Sequence, residues 1–282
     1  RTLVQLERDT ARLTAFASRA GDTLSVTVDV ENFAGHKLPS GLPSRRSWLH
    51  VVVTDANNNT IFESGRPLAE GKIQGNDAED LNPASLPFEP HYDTITSADQ
   101  VQIYEAVMGD TDGNVTFTLL RAAEYLKDNR LTPPGFDKNH VPLDVAVQGT
   151  ALDDDNFNKG FDEITYRFEN RGSGDLKVEV SLNYQSITHG ALVDLYQEDD
   201  TPEVKDFKSM YDAQALKFET ITVAETQIES RLAAEPVEES EEVQTEDEDP
   251  IAPVETESFT SDDQQTTSSG GGGNISWSML LM

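Results

Sequence analysis

The residues with the most chemical potential lie in one short segment, Gly35-His36-Lys37-Leu38-Pro39-Ser40-Gly41-Leu42-Pro43-Ser44-Arg45-Arg46-Ser47-Trp48-Leu49-His50. His36 stands between glycine and proline in a predicted loop, where the backbone can approach a flat ligand and a neutral imidazole can offer nitrogen to a metal centre. The alternative is an ordinary loop histidine bonded to backbone. Arg45 and Arg46 can hold carboxylates through paired N–H groups, and those carboxylates belong either to a partner or to this chain.

Two further histidines are weaker candidates for cofactor binding. His50 follows a predicted strand, and His91 lies in a proline-rich loop before Tyr92 and Asp93. For both, a structural role in the fold is the alternative, because a histidine whose ring nitrogens are hydrogen-bonded within the protein is common.

Acidic residues suggest a cation site in the second half of the chain. Asp153-Asp154-Asp155-Asn156 is followed by Asp162, and calcium prefers clustered oxygen ligands of this type. The competing interpretation is a set of solvated turns. The sequence therefore predicts a calcium site formed by Asp153, Asp154, Asp155 and Asp162 as one of two readings.

The chain contains no cysteine, which excludes disulfides, thiolate metal sites and covalent haem attachment through a C-x-x-C-H motif. None of the common catalytic or nucleotide-binding motifs occurs either. We therefore expect no enzymatic activity from this chain itself.

The charge is strongly negative, with 52 acidic against 21 basic residues and a net of −31. Such a chain repels phosphate backbones and anionic membrane surfaces, so nucleic-acid binding is not expected. The stretch 225–269 alone has 15 acidic residues and one basic residue, and it has few large apolar ones. This composition predicts a disordered stalk.

Short segments of alternating polar and apolar residues, separated by Gly, Pro and Asn turns, predict an antiparallel β-sandwich with short helical additions. Leu24-Ser25-Val26-Thr27-Val28-Asp29-Val30 is the clearest example. The predicted organisation is an N-terminal helix over 1–20 that continues an upstream domain, a β-sandwich over 21–224, the acidic stalk over 225–269 and a Gly-rich segment over 270–282.

Five blocks in order resemble the C-terminal, haem-free domain of secreted multihaem c-type cytochromes. This resemblance implies that haem c lies in an upstream domain, which packs against this one, and that other surface electron-transfer proteins are partners. It also implies that His36 supplies a distal haem ligand, while Arg45 and Arg46 meet haem propionates. The blocks are the segment 35–50, Phe62-Glu63-Ser64-Gly65-Arg66, Gln100-Val101-Gln102-Ile103-Tyr104-Glu105, Tyr125 to Leu131 with Pro134-Gly135-Phe136, and Asn183-Tyr184-Gln185-Ser186-Ile187.

The chain end, Gly270-Gly271-Gly272-Gly273 followed by Ile275 to Met282, resembles the start of a GlyGly-CTERM sorting signal. The resemblance implies export across the inner membrane of a Gram-negative bacterium, a membrane anchor only before processing, and a periplasmic to cell-surface location. Eight residues are far fewer than the roughly 20 that span a bilayer.

These features give one leading hypothesis, a non-catalytic docking domain of an exported multihaem cytochrome involved in extracellular electron transfer. The alternative from another class is a cell-surface binding or adhesion module that uses calcium. Calcium-dependent stability would favour the second hypothesis, because a ligand that binds only the folded state stabilises it.

Overall fold

The computed structural model describes residues 2–75, 88–198 and 200–230. The chain divides into two units, Arg1–Ala233 and Ala234–Met282. The predicted Gly-rich segment, and the acidic stalk beyond residue 230, lie outside the described residues.

The first sheet has four strands, β1 (Ala11–Ala20), β2 (Thr23–Asn32), β5 (Thr94–Ile95) and β9 (Phe161–Glu169). Their order across the sheet is β1-β2-β9-β5. The β1–β2 and β2–β9 pairs are antiparallel, whereas β5 runs parallel to β9.

The strands of the second sheet are β3 (Arg46–Asp55), β4 (Thr60–Ser64), β6 (Ile103–Gly109), β7 (Val115–Thr116), β8 (Glu124–Asp128), β10 (Leu176–Gln185) and β11 (Glu219–Ile228). The sheet is antiparallel and follows the order β11-β10-β3-β6-β7, with β4 paired to β3 and β8 paired to β6.

The hydrophobic core lies between the two sheets. Alternate residues of β2 and β9 pack against alternate residues of β3 and β10, as the period of two in a strand requires. Phe62 on β4 reaches across to the first sheet, where it stacks on Phe168 at 4.4 Å and meets Tyr166 edge-on. The predicted mainly β, antiparallel sandwich is confirmed.

The helical additions are short. They are α1 (Thr2–Asp9), α2 (His189–Leu195) and α3 (Pro202–Asp212), with 3₁₀ turns at Ala69–Gly71, Leu143–Val145, Thr150–Leu152 and Tyr196–Glu198. Within the described residues, no helix combines the length and the hydrophobicity needed to cross a bilayer.

The prediction of a helix through residues 1–20 is wrong for its second half. The helix ends at Asp9, and Ala11–Ala20 forms β1, which pairs with β2 along its whole length. Alternation of small apolar residues with polar ones is what permits this strand. At the other end, β11 continues to Ile228, so the sandwich ends later than the predicted residue 224.

Candidate docking site at His36

The loop that carries His36 is fixed by its neighbours. Asn32, at the end of β2, is 1% exposed and donates from Nδ2 to the carbonyl oxygens of His36, Leu131 and Thr132 at 3.0, 3.1 and 3.0 Å. Leu38 and Leu131 exchange two backbone hydrogen bonds of 2.9 Å. These hydrogen bonds therefore fix the backbone on both sides of His36.

Lys37 points inward from the same loop. Its Nζ donates to Asp128 Oδ2 at 2.7 Å and to the Ala146 carbonyl at 3.0 Å. Burial lowers the pKa of Lys37, although the neighbouring Asp128 favours the charged form. The adjacent side chain of His36 is exposed. The loop therefore directs the ammonium group of Lys37 into the fold and the imidazole of His36 toward solvent.

His36 has one ring nitrogen engaged and the other available. Nδ1 lies 2.9 Å from the carbonyl oxygen of Lys37. Because a carbonyl oxygen only accepts, Nδ1 of the neutral ring carries the proton and Nε2 carries the lone pair. No hydrogen bond to Nε2 occurs within the described part of the chain. An N–H bonded to a carbonyl on the far side of the ring is the arrangement of a typical metal-ligating histidine.

A pocket of about 390 Å³ lies beside His36. Leu6 and Asp9 of α1 form one wall, and Phe33 and Tyr184 contribute aromatic surface. Phe33 is 48% exposed, and the guanidinium of Arg12 lies 5.2 Å from its ring centroid. The pocket therefore combines an imidazole with apolar surface, the pattern expected of a ligand or docking site.

The two arginines of the motif have different environments. Arg45 is partly buried and donates from Nη1 to the Ser40 carbonyl at 2.8 Å, and Ser40 lines the His36 pocket. Arg46 is fully buried and donates from Nε to Gln185 Oε1 and from Nη2 to the Gly71 carbonyl, both at 2.8 Å. Arg46 is therefore a core residue, and the expectation that it meets a haem propionate is at odds with its burial.

His50 and His91 lie elsewhere. The Nε2 of His50 is 2.9 Å from Glu63 Oε1 across the β3–β4 pair. His91 is buried, with Nε2 3.0 Å from Asp154 Oδ2 and 3.7 Å from Asp162 Oδ1. Neither lines the His36 pocket, and the burial of His91 disfavours the predicted cofactor contact.

The four predicted calcium ligands fall into two groups. Asp153 and Asp155 are exposed at a second pocket of about 440 Å³, which Asp154 and His91 also line. Asp162 is fully buried behind them. Hydrogen bonds from His91 and from two backbone N–H groups outweigh burial and lower the pKa of Asp154, whereas burial raises that of Asp162 to about 6.

The raised pKa of Asp162 predicts a pH-dependent stability. The folded protein holds this proton up to about pH 6 and the unfolded chain only to about 3.8, so stability is lost as pH rises through 6. The difference of about 2 corresponds to about 3 kcal/mol by pH 7. We expect urea unfolding between pH 4 and 7 to show this loss for the wild type relative to Asp162→Asn. Asp155→Asn, a change at the surface, should keep the wild-type slope, and parallel curves for the wild type and Asp162→Asn would contradict the assignment.

The five motif blocks are linked to one another by hydrogen bonds. Trp48 Nε1 donates to the Gly65 carbonyl at 2.9 Å, and Ser64 Oγ donates to the Gln100 carbonyl at 2.6 Å. Lys127, 1% exposed, donates to Glu105 Oε1 at 3.0 Å. These residues therefore hold the blocks together, whereas the side chain of His36 is exposed.

Sequence reasoning missed the polar residues that organise the interior. Asn32, Gln102 and Asn129 are each 1% exposed or less. Gln102 stands between Val101 and Ile103, immediately before β6. A polar residue between two apolar ones was the available signal, because a buried amide must find partners.

No protein-family model and no curated protein matches this chain. One similar solved structure is a penta-haem cytochrome c552 from Thermochromatium tepidum, with a TM-score of 0.46 and 13% identity. The match covers 80% of this chain and 41% of that chain. The chain thus spans about two fifths of the length of that cytochrome.

Proposed function

We propose that this chain is the haem-free docking domain of an exported multihaem c-type cytochrome, with His36 directed at a haem of the partner domain. The observation that carries the proposal is the exposed imidazole of His36. Its Nδ1 is bonded to the Lys37 carbonyl, its Nε2 is available, and a pocket lies beside it. The order of the five sequence blocks supports the same role.

The donor set of this site suits haem iron held by another domain. The chain has no cysteine and so cannot attach haem covalently, but a neutral imidazole is a normal axial ligand. His36 would provide that nitrogen, and Arg45, whose Nη1 already bonds to Ser40 at the pocket, has further N–H groups for a propionate. Haem supplies the electron transfer, while these residues bind and orient.

The position of α1 agrees with a partner on this side. Gln5, Leu6 and Asp9 of α1 line the His36 pocket. A haem domain joined to α1 would therefore lie close to the imidazole. In this proposal the assembled protein works at the cell surface, where it meets other electron-transfer proteins, and this chain performs no catalysis.

A haem peptide with one open axial position tests the ligand role of His36. When microperoxidase, a haem peptide of this kind, is mixed with the protein, we expect the visible spectrum to show that the iron of the peptide changes from high spin to low spin. His36→Gln should weaken this binding by about tenfold or more, because even the loss of a residue that only orients a metal ligand costs about that much. His140→Gln is the matched control, because His140 is also exposed and lies outside the pocket.

Equal binding by the wild type and both variants would remove His36 from the proposal. The gene gives a separate test of the larger claim. The reading frame that encodes this chain should contain several C-x-x-C-H motifs before Arg1, and a frame with none would contradict the cytochrome assignment even if His36 bound the peptide.

A further inference from the structure

A second histidine, His91, lies in a buried group that has the spacing of a metal site. We use the name His91 cluster for His91, Asp154, Asp162, Gln102 and Asn129, all buried. The Nε2 of His91 and one carboxylate oxygen of each aspartate lie within 4.8 Å of one another. Asp162 Oδ1 is buried and accepts no hydrogen bond within the described residues. By distance alone, these three side chains could surround a divalent cation.

The two amides of the cluster have fixed orientations. The backbone N–H of Tyr92 donates to Gln102 Oε1 at 2.9 Å, and that of Glu105 donates to Asn129 Oδ1 at 3.0 Å. A backbone N–H is only a donor, so each contacted atom must be the amide oxygen. The NH₂ groups of Gln102 and Asn129 consequently face Nδ1 of His91, at 2.9 and 3.1 Å.

Two donors facing Nδ1 determine the protonation of the ring. Nδ1 must accept, so in the neutral ring the proton lies on Nε2. This N–H points at Asp154 Oδ2, which lies 3.0 Å from Nε2, and Asp162 Oδ1 lies 3.7 Å from the same nitrogen. The ring of Phe157 packs edge-on against His91 at 4.7 Å and holds the imidazole in this position.

We propose that His91 is held as the Nε2–H tautomer and that the His91 cluster excludes divalent cations. A cation at Nε2 needs the lone pair there, which moves the proton to Nδ1, where it would meet two NH₂ groups. Metal-ligating histidines have the opposite surroundings, with an acceptor beside the second nitrogen. The N–H of His91 thus takes the place between the aspartates that a metal would occupy.

The groups around the cluster donate hydrogen bonds to its two carboxylates, as expected of a site without a metal ion. Tyr104 Oη donates to Asp162 Oδ2 at 2.7 Å, as does Gln102 Nε2 at 3.1 Å. Asp154 Oδ1 accepts the backbone N–H of Asn156 at 2.9 Å, and the Nζ of Lys138 contacts the Asp154 carbonyl oxygen. A cation would add charge beside that ammonium. The predicted calcium site therefore loses Asp154 and Asp162, and only the exposed Asp153 and Asp155 stay open to a cation.

Long-range ¹H–¹⁵N correlation spectra of the full chain at about pH 8, where an ordinary histidine is neutral, test the tautomer directly. His91→Gln assigns the resonance. We expect Nδ1 of His91 to be unprotonated and Nε2 to be protonated. His140 is the matched control, because its Nδ1 lies 2.8 Å from Asp137 Oδ2 and should carry the larger share of the proton. A protonated Nδ1 in His91 would overturn the proposal.

Zinc and calcium titrations of the same sample test the exclusion of cations. One equivalent of zinc should shift exposed histidines such as His36 and His140 and leave the His91 resonances in place. Stoichiometric zinc or calcium binding that shifts His91 and is lost in Asp162→Asn would show that the cluster is a metal site. If Asp162→Asn fails to fold, the wild-type shifts decide alone. The outcome for His91 is independent of the docking role of His36.

Discussion

Arg46→Met is expected to lower the free energy of unfolding by about 3 kcal/mol, because two buried hydrogen bonds from a charged donor are lost. The guanidinium is fully buried and lies 5.7 Å from the Trp48 ring centroid. Without the guanidinium, Gln185 Oε1 loses its donor, and the Gly71 carbonyl loses one hydrogen bond. A buried acceptor with no donor is costly because water cannot reach it.

The neighbouring arginine gives the matched control. Arg45→Met removes the same charge from the adjacent position, but Arg45 is partly buried and makes its hydrogen bond to the exposed loop at Ser40. We expect a loss of about 1 kcal/mol or less in urea unfolding. Equal losses for the two variants would mean that Arg46 is not part of the rigid interior.

Gly65→Ala is expected to destabilise the sandwich by about 4 kcal/mol or to prevent folding. Gly65 has φ +76°, and a Cβ at this position would lie 2.2 Å from the Leu49 carbonyl oxygen. The obstacle is backbone of β3, which cannot move without breaking its pairs with β10 and β6. The hydrogen bond from Trp48 Nε1 to the Gly65 carbonyl would be displaced as well.

Gly113→Ala separates the effect of φ from the effect of contact. Gly113 has φ +81° and no atom within 4 Å of a Cβ. Its substitution should cost only the left-handed conformation, about 1 kcal/mol. Thermal and urea unfolding of both variants measure the difference, and similar losses would contradict the close approach of Gly65 to β3.

The parts of the fold that the sequence predicts are those with strong local patterns. The alternation Leu24, Val26, Val28, Val30 predicts β2 and its buried face. The structure confirms this prediction, since each of these residues is 0% exposed. The segments 48–54 and 176–184, which also have the composition of strands, likewise fall in β3 and β10. Position in a single strand is a local property, so a single sequence is enough to find it.

Contacts between distant segments are a different case. β1 was missed because its inward residues beyond Leu13 are mostly alanines, whose weak alternation is hard to separate from a helix among charged residues. The sequence shows His91 only as a histidine in a proline-rich loop, because the residues that contact it are far away along the chain. Asp154 and Asp162 follow it by more than 60 residues, and nothing in the blocks that contain Gln102 and Asn129 indicates that these amides face His91. Its tautomer depends on two backbone N–H groups that no residue pattern displays.

The pairing of β2 with β9 has a consequence for biosynthesis. Thr23 and Glu169 are 146 residues apart and are joined by a side-chain hydrogen bond. β3 likewise cannot pair with β10 until the much later β10 has been synthesised. The opening hairpin therefore leaves the ribosome with an unsatisfied edge and completes its sheet only after most of the domain has been synthesised. Such long-range pairing slows folding and leaves the nascent polypeptide open to chaperones for much of translation.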